Sequence, residues 1–296
     1  MSEILTPAKF KEILPFICDT KTSQDPEHWT PENPLWGHCA VVSLVAQNLF
    51  GGVLVRISLT DIPQFSHMRS HYFNMLADGS EEDFTRPQFG SNYPDGLTEE
   101  TRERSYLLSS PETKTRYKIL AWRLAKKVHE GNPIFDDKIY QKCFFATLDS
   151  PCQKMKFGCA ITYAYDNQII YTDNNRFIEP LRHLCELQCI RLSLTSRTES
   201  MLGACGHAEE FALWEMVRCG IPLNKCDLYI AGIFPNGLPW LKPEAADHTC
   251  LRCSVQMNFA RVRKIWVPFS DHGWISLSPE QAIKTSVAYA MREKKI

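Results

Sequence analysis

Two stretches decide how this chain is read: GHAEEFALWEMVRCG at residues 206–220 and TCLRCSVQMNFA at residues 249–260. In the first, His207-Ala208-Glu209 opens a helical pattern from Ala208 to Arg218 that Gly220 closes. In the second, Cys250-Leu251-Arg252-Cys253 opens a helix from Leu251 to Ala260, and CDLYIAGIF between the two reads as a strand. This order sets one imidazole and two thiols at helix starts. Three nitrogen and sulfur ligands leave the fourth position of a tetrahedral zinc to water, the arrangement of a catalytic site. Zinc-bound hydroxide is then the expected nucleophile and Glu209 the expected proton shuttle. A lone histidine at a helix start is usually a cap, and a lone C-x-x-C is as often a redox pair or half a structural zinc site. The combination is far more specific than either part.

GCAITYAYDNQIIYTDNN, residues 158–175, reads as a hairpin turning at Asp166-Asn167. VRKIWVPF, residues 262–269, reads as a strand, and a last helix runs from Pro279 to Lys294. The order β-β-α-β-α-β-α predicts an α/β unit, a mixed sheet covered by helices on both faces. With His-x-Glu and Cys-x-x-Cys in place, residues from about Phe144 onward resemble the cytidine deaminase-like superfamily. That resemblance implies an α/β/α sandwich with a five-stranded mixed sheet, Zn2+ on His207, Cys250 and Cys253, and a homo-oligomer. It also implies a substrate contact from Asn175, with Asn174 the next choice, although Asp-Asn-Asn is turn chemistry in any protein. The superfamily usually has proline where this chain has Thr249, and His248 beside it is a further candidate for substrate binding. Cys185 and Cys189 lie in a long insert before His207 and read as packing residues or as part of a second metal site.

In the first half, WGHCAVVSLVAQNLFGG, residues 36–52, predicts a buried helix from Cys39 to Leu49 stopped by two glycines. GVLVRISL follows as a β-rich run, then HYFNML and EEDFT flank Ala77-Asp78-Gly79-Ser80 as a hairpin. Ser-Ser-Pro-Glu-Thr at 109–113 starts a long amphipathic helix through Tyr117 to Val128, halted by Gly131-Asn132-Pro133. Domains of residues 1–133 and 134–296 follow. W-G-x-C-A, S-H-Y-x-N and D-x-T-R-x-Q-F give residues 10 to 130 a resemblance to the YunG-like family, which implies no function. A cysteine opening a buried helix and a histidine on a later strand also resemble papain-like folds, making Cys39, His71 and Asp83 a candidate nucleophile set. A two-residue turn at Asp78-Gly79 would place Asp83 opposite Asn74 and turn it away from His71. His38 reads as a surface or cap residue.

The 296 residues are 44% hydrophobic and 23% charged with a net charge of -1, a globular composition with no basic field for a polyanion. The twelve cysteines accompany no export signal at the first residues, so they read as reduced thiols of a cytoplasmic protein. No apolar run approaches the roughly 20 residues that span a bilayer. The leading expectation is a zinc hydrolase removing an exocyclic amine from a free nucleobase, nucleoside or nucleotide. Three alternatives stay open: a deaminase editing bases in RNA or DNA, a non-catalytic interaction protein stabilised by zinc, and a Cys39/His71 thiol hydrolase with the zinc half as accessory.

Overall fold

The computed structural model describes residues 5–183, 189, 205–241, 249–270 and 273–294. The chain divides into two compact units, residues 1–130 and 131–296. The second begins at the glycine of the breaker triplet, and Pro133 belongs to it: Asn132 caps the turn Pro133–Asp136 and bonds the Ser270 carbonyl. No described helix is long and apolar enough to cross a membrane.

The first unit contains helices α1 (Pro7–Ile17) and α2 (Cys39–Phe50), then strands β1 (Val53–Ser58), β2 (Ser70–Met75), β3 (Glu81–Glu82) and β4 (Glu99–Arg102). Helices α3 (Arg104–Leu108) and α4 (Pro111–Val128) complete it. Helix α2 buries Cys39 and every residue from Val41 to Ala46, which is why it reads as apolar nearly all round. Ser110 accepts from the Thr113 N–H, so α4 starts at its serine-proline signal. The sheet order is β3-β2-β1-β4, antiparallel throughout. Strand β4 has few apolar residues and gave no pattern to find.

The β2–β3 connection corrects the register expected from sequence. Leu76 N–H donates to Ser80 O and Gly79 N–H to Leu76 O, leaving three residues in the loop with Gly79 at φ 85. Glu82 therefore lies opposite Asn74. Asp83 falls one residue further, level with Phe73, and strand alternation puts it on the same side as His71.

The second unit is mixed α/β around a five-stranded mixed sheet. After α5 (Lys138–Thr147) come β5 (Lys156–Tyr163), β6 (Ile169–Asn174) and the short pair β7 (Arg176–Phe177) and β8 (Cys205–Gly206). Then follow α6 (Ala208–Arg218), β9 (Cys226–Ile233), α7 (Leu251–Phe259), β10 (Lys264–Phe269), β11 (Gly273–Leu277) and α8 (Pro279–Lys294). Strand order is β11-β10-β9-β5-β6, with β9 and β10 parallel and the other neighbours antiparallel. The hairpin from β5 to β6 turns at Asn167, φ 57. The final hairpin strand, GWISL, was absent from the expected order because the run is short and broken from β10 by polar residues.

Alternation along the strands splits the sheet into two faces. Cys159, Ile161, Leu228, Ile230, Ile265 and Val267 pack with residues of α6, α7 and α8. On the other face α5 lies so close that a Cβ at Gly158 would stand 2.3 Å from Cys143 O and 2.8 Å from Thr147 N. That contact demands glycine because backbone, not a flexible side chain, blocks the space. Gly158→Ala is expected to lower the stability of this unit by about 1–3 kcal/mol, read by urea unfolding followed through its tryptophan fluorescence.

Candidate functional site

His207 is the N-cap of α6 and Cys250 the N-cap of α7, with Cys253 in the first turn of α7. Packing the two helix starts on one face of the sheet brings three ligand atoms within 4.8 Å of one another. His207 Nδ1 lies 3.1 Å from Cys253 Sγ and 3.3 Å from Cys250 Sγ. Hydrogen bonding from Cys253 and from His207 holds the Cys250 thiol well below its ordinary value, while burial pushes Cys253 up. One sulfur is thus readied as an anion, and a cation would complete the second deprotonation. These residues form the group of described residues that could hold a metal ion. The buried Cys159 thiol is turned away, donating to the Ala208 carbonyl at 3.2 Å.

The two consecutive glutamates do opposite things. Glu210, fully buried, accepts from the His207 backbone N–H at 2.8 Å, from Gln256 Nε2 at 2.6 Å and from the Arg252 guanidinium. It closes the capping box of α6 and ties that helix to α7. Glu209 is also buried, yet among the described residues no other side chain hydrogen-bonds to it. Burial raises its carboxyl to about 7 against the pull of His207. Its charge is felt by His207, Cys250 and Cys253, so a group able to hold or release a proton at neutral pH stands beside the ligands.

The other residues singled out from sequence divide. Asn175 is 3% exposed, and its Oδ1 accepts from Ser150 Oγ and Phe157 N–H, both at 2.7 Å, while Nδ2 donates to Met155 O at 2.9 Å. Its amide latches the approach to β5. Asn174 is half-buried at the end of β6, opposite Gly158. Thr249 is buried with its hydroxyl 2.8 Å from Ser254 Oγ and close to Ser286, so it anchors the start of α7 to α8. Arg176 pairs with Asp173 and stacks on Phe211. His248 and Cys185 lie outside the described residues; Cys189 is buried.

In the first unit His71 Nε2 is 2.7 Å from Asp83 Oδ2, and both side chains are buried. Burial disfavours a charge on His71, but hydrogen bonding to Asp83 and to Cys39 outweighs it and raises the imidazole to about 9. Of the three residues proposed as a set, His71 and Asp83 are thus in direct contact, with Cys39 close enough to act on the ring. His38 occupies the N-cap position of α2, but its side chain caps nothing and is not on the surface. Its ring is buried, with Nδ1 2.9 Å from Trp36 O and Nε2 2.9 Å from Thr22 Oγ1, and burial lowers it to about 4.

Because Glu210 supports the backbone of one ligand and the helix of the other two, Glu210→Ala is expected to weaken metal binding by roughly 10–100-fold. Competition between the protein and a chelator for Zn2+ reads this, with circular dichroism confirming that the helices persist. Unchanged affinity would show that the ligands are positioned without the clamp.

Residues 6–129 match the family model described as YunG protein. No curated protein and no solved structure matches the chain. The N-terminal unit is thus YunG-like in sequence.

Proposed function

We propose that residues 131–296 are a zinc-dependent hydrolytic deaminase of the cytidine deaminase-like kind, removing an exocyclic amine from a free nucleobase, nucleoside or nucleotide. The carrying observation is a three-ligand cluster next to Glu209, a buried carboxylate that no other described side chain engages. The mixed sheet supports the reading, since α7 follows from the carboxyl end of β9, the end where α/β sheets place their sites.

When bound, zinc supplies the Lewis acidity that lets water lose a proton near neutral pH. Glu209 receives that proton on its carboxylate and passes it to a ring nitrogen of the substrate, which makes the adjacent carbon more electrophilic. Oxygen bonds to this carbon. Glu209 then takes the proton left on that oxygen and delivers it to the departing amine as the C–N bond breaks, so ammonia leaves and the carbon becomes a carbonyl. A carboxyl raised to about 7 suits both directions of transfer. Glu210 and Thr249 keep the helix starts in place and touch no reacting atom in this scheme.

A net charge of -1 favours a small substrate over a nucleic acid. Two aromatics that a base-editing surface would need are used in packing: Trp240 sits edge-on to Phe157 at 5.4 Å, and Trp266 stacks on Tyr229 at 5.5 Å. Ammonia release from zinc-loaded protein, screened over bases, nucleosides, nucleotides and oligonucleotides, tests the proposal. One small-molecule class is expected to react, and Glu209→Gln is expected to keep zinc while losing roughly 100–10,000-fold in rate. Full activity in Glu209→Gln, or no amine released from any compound, would contradict it; reaction of oligonucleotides alone would move the function to nucleic acid.

A further inference from the structure

We propose that the N-terminal unit holds a second, independent active site in which Cys39 is an acyl-accepting nucleophile, His71 its base and acid, and Asp83 the residue that positions His71. The substrate class is an acyl group carried as an amide or ester, which the thiol takes up and water releases.

Four observations converge on Cys39. It lines a cleft of about 760 Å³ whose walls include Gln24, Asp25, His67, Arg69 and Tyr72. The cleft gives a route to a residue that is only 8% exposed. Second, Asp83 engages His71 Nε2, which makes Nδ1 the proton-accepting ring nitrogen. The Gln88 amide, held through its Oε1 by the Gly37 N–H at 3.3 Å, lies 3.3 Å from Nδ1, fixes the ring from that side and has to give up Nδ1 when the thiol proton arrives.

Third, no side chain caps α2. Its N-cap residue, His38, has both ring nitrogens engaged by Trp36 and Thr22. The first N–H groups of a helix need an acceptor, and Cys39 and Ala40, which carry two of them, line the cleft. Donors fixed at a helix start are suited to an oxygen that gains negative charge. Fourth, a cation stands at the cleft: Arg116 is buried, bonds Gln24 and Thr113 on the cleft wall, and its Nη1 has no hydrogen-bond partner among the described residues.

The chemistry balances with water as the only co-reactant. The Cys39 proton moves to His71 Nδ1 and a C–S bond forms to the acyl carbon. The bond from that carbon to nitrogen or oxygen breaks as His71 returns the proton to the leaving group. Water, deprotonated by the same imidazole, then cleaves the thioester, and the proton returns to sulfur as the acid departs.

The test uses the full chain and p-nitrophenyl acetate. Nitrophenolate release is followed optically, and the acetylated cysteine is mapped by peptide mass spectrometry. Acetyl is expected on Cys39 about 100-fold faster than on Cys219, the exposed cysteine among the described residues. His71→Gln should remove that advantage. Asp83→Asn should reduce it, with Asp83→Glu restoring part, an ordering that a merely structural role for Asp83 would not produce. The comparison of Cys39 with Cys219 in the unaltered protein stands even if a variant fails to fold. Acetylation of Cys219 at the same rate as Cys39, or a Cys39 rate unaffected in folded His71→Gln, would overturn the proposal.

Discussion

A charged carboxylate with no access to water holds the metal-ligand cluster together. Removing Glu210 from solvent costs several kcal/mol unless each oxygen finds strong donors, and here the donors come from both helices that carry ligands: the His207 N–H of α6, and Arg252 and Gln256 of α7. The two helix starts cannot separate without stranding this charge. His207, Cys250 and Cys253 are thereby held near one another by the protein itself. Glu209, one residue earlier, turns to the ligands with its carboxylate unengaged by other side chains, so adjacent residues of one type divide into a clamp and a candidate proton carrier.

Much of this was legible because it is local. His207, Glu209, Cys250 and Cys253 announce themselves at helix starts, and α6 runs over the residues its pattern marks. The role of Glu210 was missed although its spacing, third after the N-cap residue, is that of a capping box. Its ties to Arg252 and Gln256 depend on helix packing that no local pattern contains. The packing of Asn175 and Thr249 was hidden for a related reason. Their residue types admit many partners, and only the folded neighbours at Ser150, Phe157, Ser254 and Ser286 show which ones they engage.

Register decided the first unit in the same way. One extra residue in the β2–β3 loop shifts Asp83 from the far side of the strand to the side of His71. A slip of one reverses every side chain in a strand, so the His71–Asp83 pair rests on turn geometry that Asp-Gly alone does not determine. His38 shows how burial can hide behind a polar residue type. Thr22 and the Trp36 carbonyl satisfy its ring inside the core, which leaves the start of α2 uncapped beside Cys39.

X-ray absorption at the zinc edge of stoichiometrically loaded protein reads the ligand shell of the open site itself. Two sulfurs at about 2.3 Å and two nitrogen or oxygen atoms at about 2.0–2.1 Å are expected, with one light ligand exchanged when an anion that binds zinc is added. A closed shell of four protein ligands that no added anion alters, or zinc that stays bound when Cys250 and Cys253 are both replaced by serine, would contradict that site.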